Sequence, residues 1–208
     1  MTSRIGTWLQ FLGGSLVACG AALVLTFAQR PATAATAASS RSAENAARSE
    51  AAFVQIATVL RHPRCMNCHT VTDFPRQGDE RRRHDMLVLR GDDDHGAPAM
   101  RCISCHQNIN QDNGVPGAPN WGLAPLAMAW ENLNDHELAE VIKNPMKNGR
   151  RSLEQIFDHM AHDELVGWGW KPGNDHTGKP RELPPIPHEQ FAKLVREWID
   201  TGAVSPKS

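Results

Sequence analysis

Apolar positions along this chain are sparse and gather into a few short runs. Phe53, Ile56, Val59 and Leu60 recur at spacings of three and four, which puts them on one face of a helix that runs into His62-Pro63, where the proline predicts a stop. Three later stretches keep the same period. One starts near Asn134, an N-cap with Glu137 three residues on, carries Leu138, Val141 and Ile142, and ends at Pro145. The next begins at Ser152, with Gln155 in the capping-box position, and presents Leu153, Ile156, Phe157 and Met160 on one face. The last places Phe191, Leu194, Val195 and Trp198 at helical spacing and ends at Gly202. No stretch alternates in the manner of a half-buried strand. Arg81-Arg82-Arg83 and Asp92-Asp93-Asp94 mark a surface loop, and residues 113–119 are rich in turn formers. The pattern predicts a mainly α, small, loop-rich fold.

Composition changes this picture in two ways. The 16 Gly and 14 Pro among 208 residues cluster after position 90, so the chain needs something besides regular elements to organise its core. Charge is close to balanced, 22 Lys plus Arg against 23 Asp plus Glu, which leaves no basic field for nucleic acid.

The N-terminus bears on compartment. Ile5 to Ala28 carries no charge and is followed by a run of small residues, so residues 1–38 read as an export signal or N-terminal anchor. Cleavage after an Ala-x-Ala such as Ala32-Thr33-Ala34 is the favoured form; retention as an inner-membrane anchor is the other, since the apolar run is long enough to span a bilayer. Leu16-Val17-Ala18-Cys19 resembles a lipoprotein box, but the residues after Cys19 stay mostly apolar, and the cysteine reads as a small residue inside the signal. Residues 39–50, rich in Ala, Ser and charge, suit a flexible tether or a frayed helix start, and residues 51–208 form the working domain.

The chemistry lies in two pentapeptides, Cys65-Met66-Asn67-Cys68-His69 and Cys102-Ile103-Ser104-Cys105-His106, which hold every cysteine outside the signal segment. Each thiol of a Cys-x-x-Cys pair can add to one vinyl group of haem, and the adjoining histidine then sits beneath the iron. The motif, its repetition and the exported context together predict two covalent haem c groups, with His69 and His106 as proximal ligands. The competing readings are a zinc site, disfavoured by the long gap from Cys68 to Cys102, and disulfides or a thioredoxin-like site, for which no βαβ pattern is present.

The sixth ligand has many candidates among the histidines and methionines. His84 precedes the apolar Met86-Leu87-Val88-Leu89, and His159 lies at the edge of the apolar face of the Ser152 helix. The expectation is His84 for the first haem and His159 for the second, with Met160 as main rival. Trp121, Trp130, Trp168, Trp170 and Trp198 are candidates to pack on the macrocycles, and Arg64, Arg90 and Arg101 to pair with propionates.

A family resemblance follows from His62-Pro63-Arg64 leading into the first motif, Gln77-Gly78-Asp79, Arg90-Gly91, Arg101 leading into the second motif, Pro116-Gly117-Ala118-Pro119, Leu123-Ala124-Pro125, Met128-Ala129-Trp130 and Leu165-Val166-Gly167-Trp168-Gly169-Trp170. From about Phe53 to Ala203 the chain resembles bacterial dihaem proteins labelled as isoquinoline 1-oxidoreductase subunits, which are associated with molybdenum-containing hydroxylases. The resemblance implies a cytochrome c-like electron acceptor that is not itself an enzyme, with a molybdenum hydroxylase-type dehydrogenase as donor, a respiratory acceptor beyond it, and a periplasmic location. The alternatives are a small dihaem peroxidase or oxidase with one open haem, and a haem-based gas sensor.

Overall fold

The structure is a computed structural model that describes residues 30–208. The chain divides at Arg41, and apart from the start of the first helix every described element lies in the unit Ser42–Ser208. The segment expected as a signal or anchor falls largely outside the described residues. Among the described residues no helix is long and apolar enough to cross a membrane.

Among the described residues six α-helices carry the fold: α1 (Arg30–Leu60), α2 (Pro63–Met66), α3 (Asp135–Lys143), α4 (Leu153–His162), α5 (Glu164–Trp168) and α6 (His188–Asp200). Two-residue strands pair antiparallel in two small hairpins, β1 (Arg76–Gln77) with β2 (Arg82–Arg83) and β3 (Gly96–Ala97) with β4 (Met100–Arg101). The described chain is mainly α and rich in loops, as its periodicity predicts.

Both expected capping boxes are present. The Asn134 side chain accepts from Glu137 N–H and the Glu137 carboxylate accepts from Asn134 N–H, each at 2.9 Å. Ser152 and Gln155 repeat the arrangement at the start of α4. Helix α5 has no counterpart in the sequence reading. Asp163 opens it by accepting from Leu165 and Val166 N–H at 2.9 and 3.2 Å, and one short turn carries no periodicity to read.

Residues 39–50, expected as a tether or frayed helix start, continue as part of α1. Alanine favours the helix, and the end of this stretch is anchored by long-range bonds. The buried Ser49 hydroxyl donates to Trp198 O and accepts from Val204 N–H, both at 2.9 Å, while Arg48 pairs with Glu197. The expected stop before Pro63 is present, and the chain then restarts. Helix α1 ends at Leu60, and Pro63 takes the first position of α2, where its missing N–H costs nothing. His62 caps this helix through Nδ1, which accepts from Arg64 N–H at 3.2 Å. The proline thus turns the chain and restarts it as the short helix that carries Cys65.

One core joins α1, α3, α4 and α6. Phe53, Ile56, Val59, Leu138, Ile142, Ile156, Leu194, Val195 and Trp198 are all buried in it. Trp198 packs 5.0 Å from Phe53 between ring centroids, and its indole N–H donates to Val204 O at 3.1 Å. Trp198→Ala leaves a large void and an unpaired carbonyl, so it is expected to lower stability by roughly 3–5 kcal/mol in a denaturant titration. Val54→Ala, on the exposed face of α1, should stay within about 0.5 kcal/mol of the parent.

Candidate cofactor site

The first pentapeptide begins on α2 and is held from several sides. His69 donates from Nδ1 to Met128 O at 2.8 Å; a carbonyl has no proton to give, so the ring carries its hydrogen on Nδ1 and leaves Nε2 as a free lone pair. Trp130 stacks on the same ring, centroids 3.4 Å apart and planes within 13°. The loop that supplies both partners is pinned to the motif, with Trp130 N–H donating to His69 O at 3.0 Å and Ala124 N–H to Cys68 O at 3.2 Å. Burial pushes the His69 pKa down to about 3, against the raising effect of its bond to Met128, so the imidazole stays neutral.

The second pentapeptide repeats this arrangement on a different scaffold. It follows β4 as a 3₁₀ turn, and His106 donates from Nδ1 to Pro116 O at 2.7 Å. Trp121 stacks on His106, centroids 4.6 Å apart and planes within 8°, and meets Trp168 edge-on at 4.8 Å. Burial lowers the His106 pKa, partly offset by the bond to Pro116. Gly117 lets this loop approach closely: a Cβ there would stand 2.1 Å from Ile109 O and 2.4 Å from Gln107 O.

The two motifs are neighbours. Trp121 stacks on His106, while Ala124 three residues on bonds Cys68 O of the first motif, so one loop touches both. The Cys68 thiol is close enough to Cys102 for a charge there to raise its pKa. Burial is the larger cause, and together they push Cys68 up to about 11. Burial likewise takes Cys65 to about 12 and raises Cys102. All four thiols are free, and the disulfide reading has no counterpart in the structure. Among the described residues no three His, Cys, Asp or Glu side chains converge as a cation site. A bare zinc ion needs four such donors, whereas haem brings its own equatorial nitrogens and asks the protein for one or two axial ones.

Of the two histidines expected as sixth ligands, His84 is placed beside the second motif and not the first, its ring centroid 6.1 Å from that of His106. His159 faces Asp163, with its Nδ1 3.5 Å from Asp163 Oδ2. The β1–β2 hairpin accounts for the His84 placement. It folds the intermotif loop back on itself, with His84 N–H bonded to Pro75 O at 3.2 Å, and this long-range return leaves no mark in the local pattern. Met160, the rival to His159, is 6 % exposed and packs in the core.

The expected propionate partners divide. Arg90 spends its guanidinium on Thr70 O, Thr72 O, Ala124 O and Asp94, and Arg101 spends its own on Asp93 and Gly96 O. Arg64 differs, since it is buried against Asp79 yet its Nε has no partner. Arg76 Nε, Arg81 Nε and Trp130 Nε1 are buried and unpartnered too. All four donors border the first motif: Arg64 precedes Cys65, Arg76 N–H bonds Asn67 O, Arg81 reaches Met66 O, and Trp130 stacks on His69. Buried donors without acceptors are costly, and the carboxylates of a haem would supply what they lack. At the second site Met86, Leu87 and Ile103 are exposed apolar side chains beside His84 and within the motif, surface of the kind a macrocycle covers. The residues present therefore fit two haems.

The stacked tryptophans gain roles that the sequence left general, with Trp121 and Trp130 on the imidazoles and Trp198 in the core. The carbonyls of Met128 and Pro116 escaped sequence reasoning, since a backbone acceptor has no residue signature. No family model, no curated protein and no solved structure matches this chain.

Gly117→Ala is expected to destabilise the protein by about 1–3 kcal/mol, because the new Cβ forces two backbone strands apart. Gly167→Ala, on α5 with ordinary space around it, should be neutral or slightly stabilising in the same thermal melt.

Proposed function

We propose that the chain is a periplasmic dihaem c-type cytochrome that carries electrons. The observation that carries this reading is the duplicated arrangement of His69 and His106: each closes a Cys-x-x-Cys pair, donates Nδ1–H to a backbone carbonyl, stacks on a tryptophan and keeps Nε2 free. A second-sphere carbonyl of this kind fixes the tautomer and raises the basicity of a ligating imidazole. Cys65 and Cys68 would hold one haem, Cys102 and Cys105 the other. A bound haem iron supplies a reversible one-electron couple.

The protein's own contributions are placement and insulation. The loop from Trp121 to Ala124 touches both motifs and keeps them adjacent, which favours transfer between them. Arg64, Arg76, Arg81 and Trp130 would satisfy the propionates of the first haem and hold its negative edge inside the fold. The electron donor would be a dehydrogenase of the molybdenum-containing hydroxylase class and the acceptor a respiratory component, as the family resemblance implies. Export would bring the chain to the compartment where c-type haem is attached. A histidine facing the second site, His84, favours a carrier over a peroxidase with that haem open.

A redox titration is expected to take up two electrons per chain in one-electron steps, with the reduced protein refusing carbon monoxide at both haems. Carbon monoxide binding to one haem, together with peroxide turnover, would replace the carrier by the peroxidase.

A further inference from the structure

We propose that the second motif is the port through which electrons enter and leave the protein, and that the haem of Cys65 and Cys68 is an internal reserve filled through the haem of Cys102 and Cys105. This rests on the dihaem reading and goes beyond it by giving the two sites different tasks.

The sites differ in how the chain closes over them. No residue from His62 to Thr70 is exposed. Arg76 N–H bonds Asn67 O at 3.1 Å and Asn67 Nδ2 donates to Gly78 O at 2.9 Å, which ties the β1–β2 hairpin to the first motif. Ala124 and Trp130 tie a second segment to Cys68 and His69. The Arg64 side chain is 2 % exposed, and the Nε atoms of Arg76 and Arg81 are buried beside the same motif. A haem among these groups adds apolar bulk to a site that is already enclosed.

The second motif lies at the surface. Ile103, Ser104 and Cys105 are exposed, and so is Gln107 directly after His106. A haem bonded to Cys105 hangs from a residue that a redox partner can reach. Electron transfer weakens steeply with distance, so this haem exchanges electrons with the outside and the enclosed one exchanges them with its neighbour.

Contacts lead inward from the second site to the first. Trp121 stacks on His106, Trp168 meets Trp121 edge-on at 4.8 Å, and Arg64, which precedes Cys65, lies over the Trp168 ring at 5.8 Å. The arrangement suits a donor that releases two electrons in one turnover. The first electron reduces the iron at the port, passes inward, and leaves the outer iron ferric again for the second. The donor ends oxidised by two electrons and each iron reduced by one.

Access is tested in the unaltered protein by proton NMR of the reduced, fully haem-loaded chain with an added gadolinium chelate. The thioether signals at Cys102 and Cys105 should broaden well before those at Cys65 and Cys68; equal broadening, or the reverse order, overturns the proposal. Surface charge tests the route. Ser104→Glu should speed the reduction of both haems by hexaammineruthenium(II) at low ionic strength and Ser104→Lys should slow both, the two rates spanning roughly tenfold, because an exposed charge steers a cationic reductant. The same two substitutions at Val71, which is exposed two residues beyond His69, should leave both haems at the parent rate. If Ser104 moves only half of the absorbance change or none of it, or if Val71 moves either half, the first haem has a port of its own and the proposal falls. A pyridine haemochrome count separates the failures: two haems per chain with a contrary result defeats only this inference, whereas no haem defeats the dihaem reading beneath it.

Discussion

The rest of the site depends on one repeated hydrogen bond, imidazole Nδ1–H to a backbone carbonyl, made by His69 to Met128 and by His106 to Pro116. It does three things at once. It pairs a buried donor, selects the tautomer, and points the remaining nitrogen at the place where a metal would sit. Because the acceptors are backbone atoms, their positions depend on how the loops run, and the loops are pinned in turn. Ala124 and Trp130 bond back to the first motif, and Gly117 lets the other loop press against Ile109 and Gln107. A loop-rich chain holds a fixed site in this way because its loops are tied down by their own backbones.

The helical part of the molecule has a different task. Helices α1, α3, α4 and α6 enclose a conventional apolar core, and they bear on the site through their ends. The short α2 begins with Pro63 just after α1 and carries Cys65; α4 presents His159 to Asp163 at its C-terminal end. Among the described residues the unpartnered donors gather around the first motif. Polar strain is therefore concentrated where a charged group of a cofactor would relieve it.

The helices were legible because their signals are local. Asn134 with Glu137, and Ser152 with Gln155, announce their caps within four residues, and the apolar spacing does the rest. Pro63 stops one helix, as the sequence predicts, and also begins the next, which no local apolar spacing announces. Ser49 gives no sign in the sequence of its bonds to Trp198 and Val204, far along the chain, so the stretch before Phe53 read as a tether. At the site, the two motifs could be read from residue types. That His84 stands beside the second motif could not, because it depends on a small hairpin that returns the loop between the motifs.

The central claim is that both pentapeptides carry haem covalently, and it is tested most directly by the intact mass of the chain produced with a c-type haem maturation system, read beside its reduced-minus-oxidised spectrum. The account predicts a mass increase of two haems with cytochrome absorption bands. A haem-free mass, with zinc bound instead, would contradict it.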